Sequence, residues 1–159
     1  MEFRRFLCAL VLMLAVLPNL AAGEACPVTI PPNPPFVPPA PYQPIPSPRG
    51  FWYGTSALWT YLHGDGLWHG IREAGGYSNK LFLWTPGFDG RIEPRPDIIV
   101  VLRRLDAEAP LVSSRGGTNA FFDGSWAMLT GVTIPTAGCW EVTSAHGGQP
   151  LSFVVFVQP

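Results

Sequence analysis

Ala137-Gly138-Cys139-Trp140-Glu141-Val142-Thr143 (AGCWEVT) is the stretch that decides how the rest of the chain is read. Pro135 precedes it and Gly147-Gly148 follows it, so turn residues bound it on both sides. Its aromatic and β-branched content predicts a strand from Gly138 to Ala145. Successive side chains of a strand point to opposite faces. Trp140 and Val142 therefore share one face, and Cys139, Glu141 and Thr143 share the other. The Trp140 face is the more apolar and is assigned to the core, which turns Cys139 outward. That is not the position of the core-crossing disulfide of immunoglobulin domains. An outward cysteine is reached instead by a segment lying over the outside of the sheet.

Working outward, the chain after Arg49 alternates short apolar runs with glycine and proline, the pattern of an all-β domain. Leu58–Leu62 and Leu67–Ile71 read as a hairpin around Gly64-Asp65-Gly66. Lys80–Trp84, Ile98–Leu105 and Ala127–Ile134 read as further strands. Gly138–Ala145 and Leu151–Val157 form a last hairpin around Gly147-Gly148. No segment carries ten or more residues of helical period. Seven strands point to two packed antiparallel sheets, a β-sandwich occupying residues 51–159.

The N-terminal part is different in kind. Arg4 and Arg5, the apolar run Phe6–Leu17 and the small residues Ala21-Ala22-Gly23 have the layout of a secretory signal peptide over residues 1–23. The run is shorter than the roughly 20 residues a membrane span needs. The expected location is periplasmic or extracellular. Of three cysteines, Cys8 lies in this signal, and Cys26 and Cys139 remain, an even count that suits an oxidising compartment. Lipidation at Cys26 is disfavoured because Glu24 sits where a lipobox needs a small residue.

Residues 24–50 are proline-rich, a composition that favours extended polyproline II. The segment suits a stiff spacer; the Pro35-Phe36-Val37-Pro38 spacing also suits a ligand for an aromatic groove. Cys26, Val28 and Ile30 alternate like a short edge strand. A Cys26–Cys139 bridge follows, closing most of the chain into one loop. In the chain-entropy account such a bridge is worth about 4.7 kcal/mol for a loop of about 100 residues. The proline run then becomes a strap across the domain.

Without residues 1–23 the chain keeps 8 basic and 10 acidic residues. A formal charge of −2 gives no footprint for nucleic acid and no polybasic membrane patch. A thiol nucleophile needs an electropositive setting, and Glu141 beside Cys139 opposes one. His63, Asp65 and His69, with a distant His146, can be drawn as a metal site, but the spacing matches no metal motif, and exposed hairpin histidines are the expectation. Asp89, Glu93, Asp97, Asp106, Glu108 and Asp123 flank loops without forming a recognisable acid pair. No cofactor, metal or catalytic residue is expected.

Six tryptophans, all after residue 50, are more informative. If Leu58, Thr60 and Leu62 face inward, Trp59 and Tyr61 face out, either exposed or covered by the proline strap. Trp59, Tyr61 and Trp68 are candidate residues for stacking on a sugar, and Arg104, at the end of the long β-branched strand, is a candidate for an anion.

Several of these pieces, CPVTIPP at Cys26, ALW at Leu58, RRLDAEAP at Arg103, and IPTAGCWEVT followed by LSFVVFV, resemble a group of uncharacterised bacterial exported proteins. The C-terminal part also resembles the last two strands of bacterial immunoglobulin-like domains. The resemblance implies a small extracytoplasmic, immunoglobulin-like antiparallel β-sandwich of about seven strands and carries no catalytic residue with it. The expected function is that of a non-enzymatic domain binding a protein or cell-envelope component through its surface. The rivals are a carbohydrate-binding module built on Trp59, Tyr61 or Trp68, a metalloprotein or enzyme built on His63, Asp65 and His69, and a purely structural accessory domain.

Overall fold

The computed structural model describes residues 26–42, 49–122 and 124–159. The signal-like residues 1–23 lie outside the described residues. The described chain is all-β, with ten strands that pair antiparallel in two sheets. They are β1 (Gly50–Gly54), β2 (Trp59–His63), β3 (Ile71–Glu73), β4 (Gly76–Trp84), β5 (Ile99–Arg104), β6 (Val112–Arg115), β7 (Thr118–Phe122), β8 (Ser125–Ile134), β9 (Gly138–His146) and β10 (Gln149–Val157). Sheet A runs β1-β2-β4-β8-β7, with β3 also on β4, and sheet B runs β10-β9-β5-β6. The core lies between them: Leu62, Leu83, Met128 and Ile134 come from sheet A, and Val100, Trp140, Val142 and Phe153 from sheet B.

Three more strands are present than the seven expected. β6 and β7 are edge strands with largely exposed or half-exposed side chains, so they carry no apolar alternation to read. β1 is short and glycine-bounded. The expected Leu58–Ile71 hairpin is corrected. β2 takes β1 as its partner, from Gly50↔His63 to Gly54↔Trp59. Leu67 departs to form a parallel bridge with Phe156, and only from Ile71 does the chain return to sheet A as β3, pairing with Ser78–Gly76 of β4. The closing hairpin is as expected: β9 and β10 pair from Gln149↔His146 to Val157↔Gly138. Gly147 (φ 56°) and Gly148 (φ 78°) both sit in the left-handed region that a two-residue type I′ turn requires, which glycine adopts without strain.

The alternation on β9 holds. Trp140, Val142 and Ser144 are fully buried toward the core. Cys139 lies on the opposite face and is nonetheless only 1% exposed, because Cys26 covers it through a disulfide with Cα atoms 5.4 Å apart. The covering segment also closes the free edge of β10. The Thr29 N–H donates to the Val154 carbonyl at 2.9 Å, and the Val154 N–H donates to the Thr29 hydroxyl oxygen at 2.8 Å. One step further along, the Trp68 N–H donates to the Phe156 carbonyl and the Phe156 N–H to the Gly66 carbonyl, both at 2.9 Å. Gly66 is required here: its φ is +70°, and a Cβ would lie 2.6 Å from Val28.

The bridge spans 113 positions of sequence, so its loss releases a large loop. Replacing Cys26 and Cys139 together by serine should lower the unfolding free energy by about 2–5 kcal/mol. Urea denaturation of the two proteins checks this, and equal stabilities would show that the strap is held by its non-covalent contacts alone.

Candidate functional site

The outer face of sheet A carries a row of aromatic side chains. Trp52 (β1), Trp59 (β2) and Trp84 (β4) all point there, where strand alternation puts them opposite Leu58, Leu62 and Leu83. The Trp52 and Trp84 rings meet edge to face at 5.0 Å, and Phe82 stacks on Trp84 at 6.1 Å. The row is covered. Phe36 and Tyr42 of the proline-rich segment pack on it, and Tyr42 meets Trp59 edge to face at 5.0 Å. Trp59 is therefore fully buried: of its two readings, exposed or covered by the proline strap, the structure has the covered one, and Trp59 drops out as a stacking residue. Over residues 26–42 the segment is a strap, and Phe36 of the PxxP spacing is used within the same chain. Removing the Tyr42 ring by Tyr42→Ala should cost about 1 kcal/mol from the ring pair alone and expose Trp59. Iodide quenching of tryptophan fluorescence should rise; unchanged quenching would show that Tyr42 does not shield the row.

Beside this row, sheet A opens. β2 pairs with β4 only at Trp59↔Trp84 and Thr60↔Leu83. Beyond that point β2 follows β1 and β4 follows β8, so the two strands part. Side chains take up β4 backbone groups at the opening. The Thr60 hydroxyl donates to the Phe82 carbonyl at 2.7 Å, and the Lys80 N–H donates to Asn79 Oδ1 at 2.8 Å. Trp68 Nε1 donates to the Tyr77 carbonyl at 3.1 Å. Between β2, the 64–70 excursion and β4 lies a pocket of about 360 Å³. Leu62, Leu81, Phe153 and Val155 belong to its apolar lining, and Tyr61, Trp68, Phe82 and Trp84 supply aromatic walls. Its polar lining includes His63, Asn79 and Lys80.

Of the candidate ligand residues, the pocket gathers Tyr61 and Trp68 and leaves out Trp59 and Arg104. Arg104 is engaged elsewhere. Its Nε donates to Asp106 Oδ1 at 2.7 Å, one terminal nitrogen donates to the Thr136 hydroxyl at 3.1 Å, and the guanidinium lies 6.0 Å over the Trp140 ring. Asp106 in turn accepts the Cys139 N–H at 2.9 Å. Its carboxyl is held below the usual range, mainly by Arg104, with burial opposing. This pair fixes the start of β9. Sequence reasoning missed Phe82, Trp84 and Lys80 as pocket residues. Their alternation on β4 was readable, but the parting of β2 from β4 was not.

His63, Asp65 and His69 do come together, through the excursion that replaced the expected hairpin. The His63 and His69 rings meet edge to face at 4.6 Å, and His69 Nε2 is 2.8 Å from Asp65 Oδ2. Among the described residues no group of three His, Cys, Asp or Glu side chains is placed to hold a metal ion. Burial lowers the His63 pKa from its ordinary 6.5, and the neighbouring His69 lowers it further, against Asp65. A histidine depressed in the folded state binds fewer protons there than when unfolded, so its contribution is complete above the unfolded value and is lost as pH falls. Thermal stability should therefore decline on acidification through pH 6.5. His63→Gln should flatten that part of the profile; an identical profile would assign the decline to other groups.

No family model, curated protein or solved structure matches this chain.

Proposed function

We propose that the protein is an exported, non-enzymatic β-sandwich domain that binds a protein or a component of the cell envelope through the face of sheet A around the pocket. The observation that carries this is the pocket itself, an apolar cavity of about 360 Å³ opening through a sheet whose neighbouring aromatic surface is covered. Small-molecule and side-chain recognition sites have this character: a roughly 300–1,000 Å³ concavity, mostly apolar, with a few polar groups. Export is supported by the signal-like residues 1–23 and by the Cys26–Cys139 bridge, which suits an oxidising compartment. Among the described residues no helix is long and apolar enough to cross a membrane. The carbohydrate-binding alternative keeps Tyr61 and Trp68 but loses Trp59 to burial.

A photo-crosslinking side chain at Ile71, exposed at the start of β3 next to the opening, tests the reading in a bacterium exporting the protein. A discrete adduct at Ile71, absent with the same group at Arg91 in the loop after β4, is the expected result. Equal adducts at both positions, or none at either, would count against this face. An adduct with a polysaccharide would select the carbohydrate-binding alternative.

A further inference from the structure

The pocket has one cation among its lining residues, and it is the only lysine in the sequence, Lys80. The side chain is exposed on β4 and makes no ion pair among the described residues. Four arginines differ in this respect: Arg91, Arg103, Arg104 and Arg115 are matched with Asp89, Glu141, Asp106 and Asp97. The lining contains no aspartate or glutamate. Asn79 precedes Lys80 on β4 and its Oδ1 accepts the Lys80 N–H, so its side chain is tied to the backbone and leaves from the opposite face of the strand. The polar lining thus offers one ammonium, with Thr29, Tyr61, His63 and Asn79 as neutral polar residues and no carboxylate to compete for it. Deeper in, Leu62, Leu81, Phe153 and Val155 present no polar side-chain group. Sugar hydroxyls placed there would lose water without replacement, at a cost of the order of 1–3 kcal/mol each.

We infer that the pocket takes a small amphiphile, an apolar chain or ring inserted toward Leu62, Leu81, Phe153 and Val155 with one carboxylate held by Lys80. This rests on the pocket being the binding face, and gives its ligand a chemical class. The apolar part is favoured by removal from water, at about 25 cal/mol per Å². The carboxylate supplies orientation, through a charge-assisted bond that Lys80 forms without first breaking an existing pair. A free molecule is selected over a membrane surface. The chain carries 8 basic and 10 acidic residues beyond the signal-like segment and has no polybasic patch to hold an anionic bilayer. The pocket is also a concavity between β2, the 64–70 excursion and β4, not a flat face of the kind that lies on a bilayer.

Because Lys80 is the only lysine, acetylation by an N-hydroxysuccinimide ester followed by peptide mass spectrometry reports on this one side chain. With the disulfide-bonded protein, decanoate below its micellar concentration should slow Lys80 acetylation and change tryptophan fluorescence with a stoichiometry of one. Decyltrimethylammonium should do neither. Lys80→Gln, an exposed substitution, should weaken decanoate binding about tenfold, the equivalent of 1.4 kcal/mol, and leave decanol binding unchanged, while Lys80→Arg should retain decanoate. Equal binding of decanoate and decyltrimethylammonium, no binding of any probe, or decanoate binding indifferent to Lys80→Gln would overturn the assignment. So would co-sedimentation with phosphatidylglycerol vesicles by a protein that ignores decanoate. If decanoate fails while the Ile71 adduct persists, the face stands and the ligand class is wrong. If both fail, the face itself is wrong.

Discussion

The disulfide between Cys26 and Cys139 is the constraint on which the other coverings depend. It holds the N-terminal segment against the outer face of β9, one residue from Trp140 in sequence and on the opposite side of the sheet. From that anchor Thr29 reaches the edge of β10 and Val28 meets Gly66. Further along the strap, Phe36 and Tyr42 lie across the tryptophans of sheet A. One covalent bond thus starts a path that blocks part of an open sheet edge and then covers an aromatic face. Both are surfaces that an isolated β-sandwich leaves prone to association.

The opening in sheet A is the other side of this arrangement. A continuous β2–β4 ladder would satisfy its own backbone and leave no cavity. Here the ladder stops after two residue pairs, and Thr60, Asn79 and Trp68 supply side-chain partners at the break. Polar backbone groups left bare would cost more than the lost ladder bonds themselves, so these three side chains are what allow the strands to part. The excursion from Gly64 to Gly70 is also shared. Its backbone closes the β10 edge at Phe156, its Trp68 walls the pocket, and His69 sits against His63 at the rim.

What the sequence made legible was local alternation. It turned Cys139 out and Trp140 in, joined Cys26 to Cys139, and set Trp59 opposite Leu58 and Leu62. The facing of Cys139, Trp140 and Trp59 needs only the two-residue period of a strand and a decision about which face is apolar, and the bridge adds the even cysteine count. What it left unread was pairing. The turn residues Gly64-Asp65-Gly66 suggest a hairpin, yet whether Leu67 pairs with β2 or with β10 is decided by strands more than eighty positions away. β6 and β7 escaped notice because exposed edge strands carry polar residues on both faces. The pocket escaped for the same reason as the hairpin: it exists only because two strands separate, and neither strand alone signals that.

The strap and the hairpin that receives it are far apart in the chain, 113 positions between the two cysteines. Synthesis makes the strap before its seat, since β9 and β10 follow it in the sequence. Until they are in place Cys26 has no partner and the tryptophan row has no firmly anchored cover. Loop closure over such a distance is slow relative to local pairing. The sandwich therefore carries an order-dependent step in its maturation: the strap must wait for β9 and β10 before the outer surface is sealed.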